Sequence, residues 1–337
     1  MRQEARMAQR GGRKHTLHDG RTRRAGRGRR AWQAGAALLL AALALQAGAR
    51  AACAQRQGNP PFFPEADPRR ASFSAQYTGS AAAGVLSPGP GENGTLASTL
   101  SSARLTVPVA RTGTDTLWLA GVSASERTLS FDGFSSALTP ALASNLYGAT
   151  LHGDVLQRLD GDKLLIGFLA VGRYGDQWAP EARGTRTSGG GEVDFRWRAH
   201  EILGIGGAVT YILGDRRLLP ILRYAYFDSP WFVNVRFPFG GDVRYAVNPW
   251  LRVGGRITAE GGEYAIGAPQ ASVDTVRMST GLAGVFVALG RRESAQLQIG
   301  AGRTFYQRYE ALENGTDVET LNFKPSPYYQ VTGLLRF

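Results

Sequence analysis

Cysteine is almost missing from this chain of 337 residues, Cys53 being the only one, so a disulfide within the chain and a thiolate-held metal centre are both excluded. Histidine is nearly as scarce. Only His152 and His200 lie beyond the first twenty residues, and no glycine-rich phosphate loop or clustered metal ligands accompany them. The sequence therefore calls for no cofactor. No apolar run reaches the roughly 18 residues that a membrane-spanning helix requires. Acidic residues are also in deficit, 27 against 39 basic ones, and the location of that excess decides its meaning.

The excess sits at the front. Residues 1–54 hold eleven arginines and Lys14 against Glu4 and Asp19, which accounts for ten of the twelve net charges. A nucleic-acid partner is accordingly not expected of the remainder. Between Arg30 and Arg50 lies the apolar run Ala34 to Leu45, followed by small residues through Ala54. A basic segment, a short apolar segment and small residues at a cleavage point form a secretory signal. Residues 1–54 are expected to be such a leader, cut after Ala54 and removing Cys53. Residues 55–70, with Pro60, Pro61, Pro64 and Pro68, read as a mobile lead-in that cannot hold a strand ladder.

From residue 71 to Phe337 apolar and polar residues alternate with a period of two, the pattern of strands whose faces meet different surroundings. Trp231, Val233, Val235 and Phe237 alternate with Asn234 and Arg236, and Val243, Tyr245 and Val247 with Asp242 and Arg244. Leu251, Val253 and Ile257 share one face; Arg252 and Arg256 share the other. Turn residues punctuate these runs at 113–115, 160–162, 214–215, 228–230, 248–249 and 290–292, and longer loops are expected at 87–93, 131–145, 176–190, 261–269 and 310–325. Tight and long connections in rough alternation fit a barrel with short turns at one end. The fold expected is all-β, a single closed antiparallel up-and-down transmembrane barrel of about twelve strands, within a range of ten to fourteen, exported to an outer membrane.

Aromatic residues next to the turns support that reading over a secreted soluble β-protein. Trp118, Tyr174, Trp231 and Trp250 are placed as a girdle at the lipid boundary. The final strand carries Tyr329, Val331, Leu335 and Phe337 on one side, the layout of the C-terminal signal that the barrel-assembly machinery reads. Outer-membrane lipid and that machinery are thus the expected partners. Arg303 resists, because it shares parity with Leu297 and Ile299, and an arginine facing lipid at mid-depth costs about 2–4 kcal/mol.

From Trp197 onward the sequence resembles a family of outer-membrane β-barrels known only as a domain of unknown function. The residues that carry the resemblance are Leu219-Pro220-Ile221-Leu222-Arg223-Tyr224, Ser229-Pro230-Trp231, Arg236-Phe237-Pro238, Arg244-Tyr245, Asn248-Pro249-Trp250 and Glu260-Gly261-Gly262-Glu263-Tyr264, with 146–174 upstream. The resemblance implies fold and location and brings no catalytic residues.

Two chemical readings remain. Arg236, Arg244, Arg252 and Arg256 fall on the polar faces of successive strands and would line a lumen, either as a ring favouring small anionic solutes or as a plug paired with Asp242, Glu260 and other acids. A barrel of that size is expected to be a narrow or plugged pore, or an envelope structural and binding protein, and no enzyme. The alternative is a membrane-embedded hydrolase using His152 as general base with Asp154 beside it.

Overall fold

The computed structural model describes residues 67–88, 93–135, 142–177, 184–267, 273–291 and 293–337. The expected leader, its cleavage point and most of the lead-in lie outside the described residues. Immediately before the first strand, Asp67 and Arg69 clamp a turn. Burial pulls the Asp67 carboxyl upward, but hydrogen bonds from Arg69 outweigh it and hold the carboxyl below its ordinary range.

Period-two alternation becomes strand throughout: β1 (Ser72–Gly84), β2 (Thr95–Thr112), β3 (Thr116–Asp132), β4 (Asn145–Asp160), β5 (Lys163–Gly175), β6 (Thr185–Arg198), β7 (Glu201–Leu213) and β8 (Asp215–Asp228). They continue with β9 (Trp231–Phe237), β10 (Gly240–Asn248), β11 (Leu251–Ala265), β12 (Thr275–Arg291), β13 (Ala295–Glu313), β14 (Thr316–Asn322) and β15 (Pro327–Arg336). Each strand from β1 to β13 pairs antiparallel with the next, β13 pairs with β15, and β15 returns to β1. The ring is closed, so no edge runs its full height.

Fourteen strands close the ring, at the upper limit of the expected range rather than at the favoured twelve. Composition had assigned strand sequence to loops. Residues 185–190 are paired on β6, 261–265 complete β11, and 316–322 form β14. Ladder hydrogen bonds need only backbone, so Ser188, Gly189 and Gly190 serve as well as bulkier residues. β14 pairs with β13 above β15 and keeps its register: Arg308 faces Asn322 and Arg303 faces Pro327, the same interval on both sides. It extends the line of β15 beyond the interruption at 323–326.

All six expected turns join consecutive strands, at 113–115, 161–162, 214, 229–230, 249–250 and 292–294. Five of them, with the connection at 199–200 and both ends of the described chain, share one rim, the turn end. The Gly214 turn sits at the opposite rim with the longer connections, the loop end. Wall height is uneven there: β2, β3 and β13 run 18, 17 and 19 residues, whereas β9 and β10 run only 7 and 9.

That short hairpin shapes the molecule. Above Leu222, β8 has no β9 partner, and above Thr258, β11 has no β10 partner. The uncovered part of β8 carries Asp215, Arg216, Arg217 and Pro220, residue types that blunt an open edge. The free end of β11 instead crosses the barrel. Ala265 bridges Gly175 of β5, and the backbone N–H of Asp176 donates to its carbonyl at 3.1 Å. Strand β7 then lies on the outward face of β11, so close that a Cβ at Gly261 would come within 2.3 Å of the Ile212 carbonyl oxygen. Only glycine permits that approach.

Candidate lumen site

Side-chain parity sends one set of residues outward and the other into the lumen. The outward set is apolar and exposed around the ring: Leu151, Leu169, Ile205, Leu222, Val235, Ile257, Val285 (70% exposed), Ile299 and Val331 all belong to it. Toward the loop end it turns polar, with Glu126, Ser130 and Asp132 on β3 and Arg308 and Glu310 on β13. Arg303 keeps its outward parity. The bulge at Phe305 lies above it, so the residue sits just below Phe305 and Tyr306, beside the transition from apolar to polar.

Three of the four girdle residues occupy the turn end as expected. Trp118, Trp231 and Trp250 point outward at 45%, 49% and 58% exposure, joined by Trp197 and Tyr245. The Trp231 and Tyr245 rings meet edge to face at 5.0 Å, and the Arg291 guanidinium lies 4.8 Å over Trp250. Tyr174 is the exception. It shares inward parity with Ala170 and Gly172, bonds the Thr150 hydroxyl at 2.7 Å and meets Tyr264 edge-on at 5.9 Å. Proximity to a loop placed it in the girdle; parity along β5 places it in the lumen.

The C-terminal residues lie on the seam that closes the ring. Tyr329, Val331 and Leu335 face outward, and the Phe337 backbone N–H donates to the Ala71 carbonyl at 3.0 Å. The Tyr329 ring covers Gly79 on β1, where a Cβ would stand 2.7 Å from it, and its centroid is 5.9 Å from that of Tyr77. An aromatic lying over a cross-strand glycine pins the register of the pair.

Inside, the lumen is layered. At the loop end, Leu96, Leu129, Leu146, Val276, Met278, Tyr309 and Leu321, all at most 2% exposed, pack into an apolar core with Tyr264 and Phe323. The Tyr309 hydroxyl accepts the backbone N–H of Ala143 at 3.0 Å. This core joins the inward faces of β2, β3 and β4 to those of β11 to β14.

Beneath it a cavity of about 400 Å³ wraps the free edge of β11, lined by Arg127, Tyr174, Arg186, Tyr211, Phe239, Glu260, Glu263 and Tyr264 among others. Its charges are matched: Arg127 to Glu260 at 3.5 Å, and Arg186 and Arg277 to Glu263 at 2.9 and 2.8 Å. Farther along, β6 offers two buried carboxylates. Glu192 takes Arg236 at 2.9 Å, and Asp194 pairs with Arg223. Reading single strands missed Arg127, Arg186, Arg223, Glu192, Asp194 and Glu263. The available signal was charge on an inward parity position of β3, β6 and β8; Glu263 has outward parity on β11 and reaches the cavity because the free end of that strand leaves the wall.

The four predicted lumen arginines all point inward, but they do not form one ring. Arg236 lies between the Phe168 and Phe239 rings at 5.6 and 5.5 Å and holds Glu192. Arg244 pairs with Asp242, as the plug reading expected. Arg256 reaches across β12 to the side-chain carbonyls of Gln298 and Gln330, at 3.0 and 3.3 Å, over the Phe286 ring. Arg252 stands apart, its Nε and Nη1 buried without a hydrogen-bond partner among the described residues.

His152 also faces inward, with Asp154 two residues along the same face. Its Nε2 accepts from Arg104 Nε at 3.2 Å and therefore takes the Thr106 hydroxyl, 3.1 Å away, as a second donor. With that nitrogen engaged by a cation and a threonine, the arrangement holds an imidazole in place but does not present it to a serine.

No protein-family model and no curated protein matches the chain. Among solved structures, it is similar to the COG4313 outer membrane channel from Pseudomonas putida F1, at 13% identity over 80% of this chain and 95% of that one, with a TM-score of 0.43. It is also similar to a Pseudomonas aeruginosa FadL homologue, at 13% identity over 82% and 92% of the two chains with a TM-score of 0.38. A third is the NanC porin, at 11% identity over 78% and 100% with a TM-score of 0.33.

Proposed function

We propose that this chain spans a bacterial outer membrane as a pore-type barrel whose outer mouth is closed in the state described. The observation that carries the reading is the inversion of its two faces. Large apolar side chains ring the exterior while ion pairs and hydroxyls fill the interior. Water-soluble proteins rarely expose apolar patches beyond a few hundred Å², and no second sheet covers this belt among the described residues. Hydrocarbon is the surrounding that makes such a face favourable, and the closed ring pairs every strand around the belt up to the level of Leu222 and Thr258.

Orientation follows from the same layers. The tight turns and the tryptophan-rich girdle mark the periplasmic side, and the tall, outwardly polar part of β2, β3 and β13 stands outside the lipid. The apolar core lies within that external part and blocks the axis. Below it the lumen is polar enough to hold small hydrophilic solutes, so the protein works as a narrow pore with a closed outer gate.

The test is fractionation followed by planar-bilayer recording on the refolded barrel. The expected result is outer-membrane recovery, faster gel migration unboiled than boiled, and rare small conductance steps that become frequent in Tyr309→Ser, which thins the gate. A heat-modifiable barrel that stays electrically silent in both forms overturns the pore.

A further inference from the structure

We infer that Arg252, Gln298 and Thr332 form a binding subsite for a small oxyanion, a carboxylate or phosphate group, at the periplasmic end of the lumen. These residues stand in one row across the ladder. Arg252 on β11 faces Ala288 on β12, Ala288 faces Gln298 on β13, and Gln298 faces Thr332 on β15. Strands are spaced about 4.8 Å apart, so the guanidinium of Arg252 needs to clear a single intervening residue to approach Gln298. That residue is alanine, and its methyl leaves the path open.

What faces inward along this row is largely donor capacity without a partner. Arg252 Nε and Nη1, Gln298 Nε2 and the Thr332 hydroxyl are all buried and have no hydrogen-bond partner among the described residues. Gln298 as a whole is 9% exposed. Its orientation is set by chemistry: Arg256 Nη2 can only donate, so it takes Oε1 at 3.0 Å and turns the amide N–H groups away from itself. Buried donors without acceptors are costly, and a cluster of them is a site awaiting an acceptor.

The charge around the row specifies which acceptor. Arg127, Arg186, Arg223, Arg236 and Arg244, also inward, each contact a carboxylate, Arg186 sharing Glu263 with Arg277. Arg252 and Arg256 form no ion pair among the described residues, and Asp242, directly across from Arg256, is committed to Arg244. Two guanidinium groups without an ion-paired carboxylate, beside an amide whose oxygen is already taken by Arg256 and a hydroxyl that can donate, present positive charge and an excess of donors. A group with two or more acceptor oxygens answers both, and a guanidinium edge takes it in bidentate fashion. The subsite rests on the barrel reading for its placement near the inner mouth, but its chemistry does not require conduction.

The test is calorimetric titration of the full folded barrel in detergent with inorganic phosphate and, separately, acetate, at low chloride. Binding of either is expected, and the tighter of the two names the class. Arg252→Gln should weaken it at least about tenfold, the scale of a lost charge-assisted contact. Thr332→Val, which conserves shape, should weaken it less, and Arg291→Gln, on the exterior, should leave it unchanged. Heat-modifiable migration certifies folding of each variant, and Gln298→Leu replaces Arg252→Gln should the latter not fold. A folded wild-type barrel that binds neither anion, or an Arg252→Gln barrel that binds as well as wild type, overturns the subsite. A silent bilayer with intact binding removes the pore and keeps the subsite, while conduction without anion binding does the reverse.

Discussion

The guanidinium of Arg127 on β3 lies 3.5 Å from the carboxylate of Glu260 on β11, although β2, β1, β15, β13 and β12 stand between them around the wall. In an evenly open ring of fourteen strands these positions would face each other across the full bore. Their contact records how far the upper part of β11 has folded inward.

Breaking that contact on one side only should therefore be costly. Both side chains are largely withdrawn from water, and a buried ion pair that loses one partner strands the other charge, at about 3–5 kcal/mol. Glu260 is 21% exposed, which places this pair toward the lower end. Arg127→Leu is expected to lower the denaturation midpoint more than Arg127→Leu with Glu260→Leu, as measured by urea unfolding in detergent. Equal losses would show that the two residues are energetically independent.

Leu96 and Leu146 are essentially sealed inside the apolar core at the loop end. Truncating either to alanine removes buried methyl groups and leaves a cavity, which costs about 2–5 kcal/mol. The same substitution at exposed Leu169 should cost far less in detergent, where the outward side chain remains solvated by alkyl chains. Unfolding measured side by side would contradict this layering if Leu169→Ala proved the worse.

In the proposed membrane placement, depth separates Val285 from Arg303. Val285→Arg puts a charge in the middle of the belt and should destabilise the barrel in lipid by about 2–4 kcal/mol. Arg303→Leu should change stability little, because the native arginine already lies beside the aromatic boundary at Phe305 and Tyr306. Folding into vesicles measures both, and a large gain from Arg303→Leu would place that residue in the hydrocarbon.

The lean of the β7–β8 hairpin over β12 can be captured chemically. A Cβ built at Gly214 stands 3.3 Å from Arg277 Cβ, close to the spacing of a disulfide. With Cys53 as the only native cysteine, Gly214→Cys with Arg277→Cys is expected to cross-link on mild oxidation, with Cys53→Ala as background. Mass spectrometry finding both thiols free in the folded barrel would mean that the hairpin stands away from β12.

Acid should loosen the Asp67–Arg69 turn that precedes β1. The folded-state carboxyl is depressed, so the clamp contributes fully above the ordinary aspartate range and fades as pH falls through the lowered value. NMR titration of Asp67 should show a midpoint below that of an Arg69→Ala variant. Coincident midpoints would remove the clamp.

Much of the architecture was legible along the chain. The alternation from Trp231 to Phe237 and from Leu251 to Ile257 marked strands, and the turns at Asp160–Asp162 and Asn248–Pro249 marked where they reverse. Trp118, Trp231 and Trp250 stand beside the turns that mark the rim, and alternation alone assigns Arg236, Arg244, Arg252 and Arg256 to the face opposite the apolar one. Tyr174 was misread because adjacency to a loop says nothing about which face a side chain takes, and β14 was missed because Asp317, Glu319 and Asn322 look like loop chemistry.

The sequence by itself determined a period-two wall with one apolar and one polar face, since that choice depends only on neighbours along a single strand. Pairings between distant strands were decided by tertiary structure alone: the passage of β11 across the bore, the matching of Arg127 to Glu260, and the solitude of Arg252. The first two depend on the height of other strands, above all the brevity of β9 and β10, and the third on which side chains neighbouring strands bring alongside; alternation within one segment carries no record of what stands opposite it.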